Sequence, residues 1–501
     1  MLSVRTAALT AFLVGFAVHA GNLGNGFAWD DDYLIEGNPS VHGFDQAASW
    51  FTEPWSAGSS LGSGRDQNAL YWRPLAQASY ALDWTLGGGS PVPFHVTNDL
   101  LHALASALVA LLAAAVVRRS SVAAAPALAA LGAGLAFAVH PVHSEAVNLA
   151  TYRTTLLADA AVLLGMVLWA QRLARGGLRV RDGFLLAAVL AAGVMGKESA
   201  VMLPAFLVLT EWALGEAGLP GWRRVAPYLP VAAAALVYLV IHQSVTGPPK
   251  LDYFATSSRW EVFVTMQTVV ALYARLLVFP WPLTSFYDWS IMPIRDDLGH
   301  PDAVLGLTLL VLALAALAYA LWRRAPATLL SLGLLLGALL PYAHFLTFFD
   351  LCGERFLYLA SAGPCIGLGV FLARPLRSAI FARTCALALG VVFAGVSATR
   401  TAVFDSSHTM LLDMVDGYPR SFNAHVGLAK SFAQRGAKED AVRHGLVALS
   451  IMPDFDPAAL RAAAFIGESR GQAAQRAFLE AEVQRRGLSE GPLVEALRGL
   501  P

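Results

Sequence analysis

Long apolar runs separated by short polar stretches set the pattern of this chain. The apolar runs fall at residues 5–21, 97–117, 123–139, 147–171, 183–196, 199–214, 226–243, 302–322, 327–346, 356–373 and 384–400. A helix needs about 20 residues to cross the hydrocarbon of a bilayer, so the shorter runs are expected to extend into their polar flanks. The pattern predicts an all-α polytopic membrane protein with about 11 transmembrane helices. One further apolar stretch, Val262–Phe279, ends at Pro280 and Pro282 and is followed by Trp281, Tyr287 and Trp289. Such aromatic residues suit the headgroup zone, and the stretch reads as an interfacial or partly inserted helix on the outer face.

The basic residues give the sidedness. Arg118–Arg119, Arg172 through Arg181, Arg223–Arg224, Arg323–Arg324 and Arg374 through Arg383 lie in short loops. Short loops rich in Lys and Arg stay cytoplasmic. Eleven spans that start inside at Arg5 place all of these loops on one side. The polar turns at residues 30–32, 140–145, 197–198 and 350–355 then face outward, with the C-terminal tail. The first 24 residues have the outline of a signal peptide. They read instead as an uncleaved first span, because cleavage would leave the following acid cluster at a free end.

Three stretches depart from the apolar pattern. Residues 22–95 are too long for a simple connector; within them YWRPLAQASYALDWTL carries its apolar and aromatic positions on one helical face and reads as a surface-lying helix. Residues 244–261 contain GPP and read as irregular. From Thr401 the chain turns polar and Ala-rich. Leu428, Ala429, Phe432, Gly436, Ala441, Ala448 and Pro453 fall at tetratricopeptide spacing, and Pro419 precedes Pro453 by one repeat length; Gly445 stands where that pattern carries an aromatic. The domains expected are a transmembrane domain over 1–400 and a small TPR-like helical domain over 401–501.

Composition agrees with this and removes some functions. The 501 residues are 56% hydrophobic and 14% charged, with net charge zero. That balance gives no electrostatic case for binding nucleic acid. Of the three cysteines Cys352, Cys365 and Cys385, two sit in apolar runs, which argues against a disulfide framework or a thiolate metal site. The chemistry-bearing feature is Asp30-Asp31-Asp32, at the exit of the first span. Three consecutive carboxylates there are either a solvated loop or helix cap, or a functional cluster.

WDD at Trp29, NPSV at Asn38, YWRPL, FHVTNDLLHA, FAVHPVHSEAV, MGKESAVMLPA and ERFLYLASAG follow one another in that order. Together with the tail, this set resembles the transmembrane-and-tetratricopeptide O-mannosyltransferases and their bacterial relatives, in the GT-C glycosyltransferase superfamily. The resemblance covers most of residues 20–370 and a shortened tail. It implies a GT-C-like bundle that takes a hexose, mannose by the resemblance, from a polyprenyl-phosphate carrier. The sugar would pass on the outer face to an acceptor hydroxyl of protein Ser or Thr, with inversion.

Within that resemblance, an acceptor hydroxyl needs a base, and Asp30 or Asp31 is the candidate, with a slight lean to Asp31. Glu145 and His143, in the turn His140-Pro141-Val142-His143-Ser144-Glu145, are a second acid and a substrate-positioning group. The same turn could hold a divalent metal, but the relatives are thought to work without one, so no cofactor is expected. A leaving phosphate needs cations, for which Arg73, Arg153, Lys197 and Arg355 are candidates; snorkelling to lipid headgroups is the alternative for each. Glu354 is expected to hold Arg355, and Tyr358 to line the lipid-phosphate groove. His95, Asn98 and His102 share one helical face, turned either to a cavity or to a neighbouring helix. The partners expected are the lipid-linked donor, a protein acceptor and the bilayer, in a bacterial inner membrane with the site outward. The rival is a non-enzymatic scaffold that binds proteins through the tail; a transporter fits less well, since the ionisable residues gather at span ends.

Overall fold

The computed structural model describes residues 2–59, 71–119, 124–175, 179–215, 225–246, 253–345, 350–375 and 378–500. Arg223–Arg224 and the GPP of residues 247–249 lie outside the described residues. Among those described, every regular element is a helix. The chain divides into two compact units, Met1–Trp281 with Arg295–Ser406, and Pro282–Ile294 with Ser407–Pro501.

The first unit contains α1 (Val4–His19), α2 (Pro74–Gly87), α3 (Val92–Arg119), α4 (Pro126–Ala138), α5 (Ser144–Asn148), α6 (Arg153–Ala174), α7 (Val180–Gly196), α8 (Leu203–Leu214), α9 (Tyr228–Val245), α10 (Arg259–Val278), α11 (Pro301–Arg323), α12 (Pro326–Leu339), α13 (Leu357–Leu372) and α14 (Ala379–Arg400). Among the described residues, eight helices are long and apolar enough to cross a membrane. A ninth span results if α4 and the turn after it, bent by 52°, count as one. Pro141 makes that break, because it lacks an N–H for the helix ladder. The apolar runs at 183–196 and 199–214 form the shorter helices α7 and α8, of 17 and 12 residues.

Helix α3 is the axis of the unit and packs against α1, α4 and α6, while α13 packs on α4 and α12. Small residues permit the closest approaches. A Cβ at Gly363 of α13 would collide with the Ser331 carbonyl of α12, and one at Gly369 with backbone of Ala129 and Ala133 on α4. Apolar side chains gain little by leaving lipid for protein, so such close backbone contact carries much of the helix association.

Cross-contacts sort the helix ends. Arg119, at the end of α3, donates to the carbonyls of Leu214 and Leu173, which brings the ends of α3, α6 and α8 together. At the opposite end Asp31 meets Ala150 and Thr151, Arg73 meets Glu198, and Glu145 meets Arg355. Helix α10 is long enough to cross, yet both its flanks touch this second end. Phe254 packs on His344 with ring centroids 5.0 Å apart. Gly353 donates to the Tyr273 hydroxyl at 3.1 Å, and His140 Nε2 donates to the Leu277 carbonyl at 3.1 Å. Helix α10 is one of the eight long enough to cross, and these contacts tie its C-terminal turns and the segment before it to that end.

The second unit contains α15 (Ser407–Gly417), α16 (Phe422–Gln434), α17 (Lys438–Ile451), α18 (Asp456–Arg470), α19 (Gln472–Arg486) and α20 (Pro492–Arg498), each packed on its chain neighbour. Gly436, at φ 78°, makes the turn from α16 to α17. Gly445 of α17 faces Phe465 of α18, which fills the space an aromatic at 445 would need. The segment Pro282–Ile294, which follows α10, is built into this unit. The buried Asp288 carboxylate accepts from Ser421 Oγ and from the Asn423 N–H, both at 2.9 Å, and so holds the start of α16. Trp289 packs against Phe422 and Phe455. Asp288→Ala removes charge-assisted bonds worth about 1.5–3 kcal/mol. Limited proteolysis of the purified protein is expected to cut residues 407–500 faster in this variant, with Asp288→Asn intermediate.

Candidate functional site

The Arg355 end gathers the polar turns that follow α1, α4, α7 and α12. Trp29 has φ 58°, a left-handed conformation that a bulky residue holds only when its surroundings enforce it. The turn separates the acids that follow. Asp31 is 1% exposed, and its carboxylate accepts the N–H groups of Thr151 at 2.7 Å, Ala150 at 3.1 Å and Ala28 at 3.5 Å. Burial pushes it up to about 7 against the pull of those donors. It therefore ties the first loop to the start of α6 and offers no free oxygen edge. Asp30 is half-buried and accepts from the Tyr152 hydroxyl. Burial raises it to about 6; Arg355 pulls the other way, while Asp350 and Glu145 push with burial.

Arg355 is the centre of the constellation. Its backbone N–H donates to Glu145 Oε2 at 2.7 Å and its Nη1 to Glu145 Oε1 at 2.5 Å. Its Nη2 donates to Asp350 Oδ2 at 2.5 Å. The guanidinium lies over the rings of Tyr152 at 4.6 Å and Phe356 at 4.8 Å. Glu145 is fully buried and both its oxygens are spent on Arg355, so it anchors the arginine rather than facing substrate as a second acid. Glu354, also fully buried, precedes Arg355 in the same turn.

Lys197 is near. Its Nζ donates to Thr155 Oγ1 at 3.0 Å and sits over Tyr342 and Phe356, the same Phe356 that Arg355 covers. Burial lowers this ammonium to about 8. A small cavity beside Arg355 is lined by Asp159, Ser199, Met202, Phe206, Tyr342 and Phe356 among others.

The other sequence candidates have different places. Arg73 grips both oxygens of Glu198, at 2.9 and 3.0 Å from Nη2, and lies over the rings of Trp55 and Tyr71. Arg153 is fully buried: it pairs with Asp83 at 2.5 Å and donates to Asn98, Ser79 and the Phe94 carbonyl. Every direction of its guanidinium is used in joining α2, α3 and α6, so it is a structural hub. His143 and Tyr358 are also fully buried. His143 Nε2 donates to Ser361 Oγ at 2.8 Å, and the Tyr358 hydroxyl donates to His102 Nδ1 at 2.9 Å. They brace α13 below Arg355 instead of lining a groove. The face of His95, Asn98 and His102 turns to neighbouring backbone and helices, through Gly26, Val147, Leu149 and Ala138. His140, His143 and Glu145 point to Leu277, Ser361 and Arg355, so they do not converge as ligands. Among the described residues no group of three His, Cys, Asp or Glu is placed to hold a metal ion.

Asp350, Tyr152, Asp83 and Asp159 were missed in the sequence. Asp159 carried a usable signal, since an acid inside an apolar run defaults to a functional or paired role.

The class these features define is an all-α integral membrane protein with a buried arginine–carboxylate site at one end of its bundle. No protein-family model matches the chain. Its homologues are transmembrane-and-tetratricopeptide protein O-mannosyl-transferases. It is similar to Protein O-mannosyl-transferase Tmtc2 of Drosophila melanogaster, 29% identical over 290 residues, which is 56% of this chain and 30% of that protein. It is similar to Protein O-mannosyl-transferase F38B6.6 of Caenorhabditis elegans at 23% over 439 residues, 87% of this chain and 61% of that one. With TMTC4 of Homo sapiens the identity is 25% over 495 residues, covering 87% and 65%. The chain thus spans less than two thirds of the length of these relatives. Among solved structures, an Archaeoglobus fulgidus oligosaccharyltransferase tethered to an acceptor peptide aligns at a TM-score of 0.39 and 12% identity, over 87% of this chain and 58% of that one; a score that low does not establish a common fold.

Arg153→Met leaves the Asp83 carboxylate buried without its partner, a loss of about 3–5 kcal/mol. Thermal unfolding in detergent is expected to drop steeply for this variant. Adding Asp83→Asn should recover part of the loss, the coupling that a direct ion pair requires.

Proposed function

We propose that the protein is a membrane glycosyltransferase that moves a hexose from a polyprenyl-phosphate carrier to a Ser or Thr hydroxyl of a protein acceptor. The names of its relatives favour mannose as the sugar and protein as the acceptor. The observation that carries the reading is the half-buried Asp30 carboxylate beside an arginine held by two other acids. A base held near pH 6 and a fixed cation are what inverting transfer from a lipid phosphate requires.

In this mechanism the acceptor oxygen attacks the anomeric carbon as the carbon–oxygen bond to phosphate breaks. Asp30 takes the hydroxyl proton. The phosphate departs with the bonding electron pair and stays on the lipid carrier. Arg355, with Lys197 nearby, offsets the charge that develops on it. Asp31 fixes the loop that aims Asp30, so the base is assigned to Asp30 rather than Asp31. No metal ion is required for any of these steps. The clustering of basic loops at the opposite helix ends favours a site facing out of the cytoplasm, across a bacterial inner membrane. The tail, with its tetratricopeptide spacing, is proposed to meet the acceptor.

The test is transfer of labelled mannose from polyprenyl phosphate to a protein extract in nanodiscs. Asp30→Asn is expected to lower kcat by about 10²–10⁴-fold, the usual worth of a general base, with folding intact. In the wild type, kcat/KM should rise with pH and level off above about 6, because the base acts only when ionised. Full transfer by Asp30→Asn would sink the assignment. Failure to consume any hexose carrier would favour the scaffold.

A further inference from the structure

The carboxylates that hold Arg355 are not equivalent. Glu145 is fully buried, accepts from both the backbone and the side chain of Arg355, and cannot leave without stranding a charge. Among the described residues Asp350 makes one side-chain bond, to Nη2, and its side chain is 16% exposed. It lies just before the buried Leu351–Gly353 stretch, which His344 and Tyr273 hold in place, so the side chain of Asp350 can turn away from Nη2 while the backbone beside it stays fixed. Glu145 holds one side of the guanidinium and the aromatic rings of Tyr152 and Phe356 cover its faces. The Nη2 edge is the remaining approach for a second anion.

We propose that Asp350 is a positioning residue that occupies the outward edge of Arg355 in place of the donor phosphate and gives up that edge when the lipid phosphate binds. This rests on the transferase reading above. The exchange is anion for anion, so Arg355 is never left without a counter-charge and is not drawn onto the base. The groups that bear on Asp30 are Arg355, Asp350, Glu145 and Tyr152. Neutralising Asp350 removes a repulsion on Asp30 and frees the pull of Arg355, and both lower the basicity of Asp30.

The experiment measures binding of a polyprenyl phosphate to nanodisc-embedded protein, with no turnover, in the wild type, Asp350→Asn and Asp350→Glu, each also carrying Asp30→Asn. Asp350→Asn is expected to bind about tenfold tighter or more, the effect of freeing one charge-assisted bond. Asp350→Glu keeps the charge and should stay near wild type. In the transfer assay with Asp30 intact, the acid limb of Asp350→Asn should move below the wild-type value of about 6. Equal or weaker lipid-phosphate binding by Asp350→Asn, with an unmoved acid limb, would overturn the proposal. Absence of lipid-phosphate binding by the wild type would instead overturn the transferase reading itself.

Discussion

The ion pair of Glu145 with Arg355 is the constraint on which the polar end of this bundle rests. A buried guanidinium is tolerable only if its charge is matched and its donors are satisfied. Glu145 meets both needs, accepting the backbone and side chain of one residue across 210 positions of sequence. Pro141 makes this possible: with α4 ended at Ala138, it opens a short turn and the five-residue helix that carries Glu145 inward. Below the pair, the bonds of His143 to Ser361 and of Tyr358 to His102 fix the first turns of α13. The depth and direction of Arg355 are therefore set by helix packing.

The same end shows how two adjacent carboxylates come to different surroundings. Asp31 spends its oxygens on backbone N–H groups of the Ala150–Tyr152 turn, and this turn presents Tyr152 to both Asp30 and Arg355. The positive φ of Trp29 is the backbone cost of turning Asp31 inward while Asp30 stays half-exposed. Two acids in a row on a regular strand or helix would point apart without this choice being fixed. Here the strain and the N–H cradle fix it, which is why the exposure of each acid is a matter of geometry and not of residue type.

Much of this was legible in the sequence. The apolar runs, the acid cluster, the His-Pro turn and the Glu354–Tyr358 turn all announced that polar groups collect at one set of helix ends, and the contacts among them bear that out. The partner of each group was not legible. Arg153 and Arg355 look alike as basic residues at the mouths of apolar runs. Only the fold reveals that Asp83, seventy positions earlier on α2, consumes the first. Asp350 looked like loop polarity because its role depends on a single bond to a neighbour five residues on. The choice between Asp30 and Asp31 was open for the same reason, since nothing in WDD says which acid the Ala150–Tyr152 turn will capture.

The cations thereby separate by how much of their charge is already answered. Arg153 has a buried acid and a full set of acceptors; Arg73 has both oxygens of Glu198. Neither has charge to spare for an incoming phosphate, whatever its distance. Lys197 has a hydroxyl and aromatic rings as its nearest contacts, and burial already weakens its hold on the proton. Arg355 has two acids, but one of them is partly exposed and, among the described residues, singly bonded. The lysine is therefore a desolvated cation with no carboxylate bonded to it, and the arginine is one whose second acid is held by a single bond among the described residues.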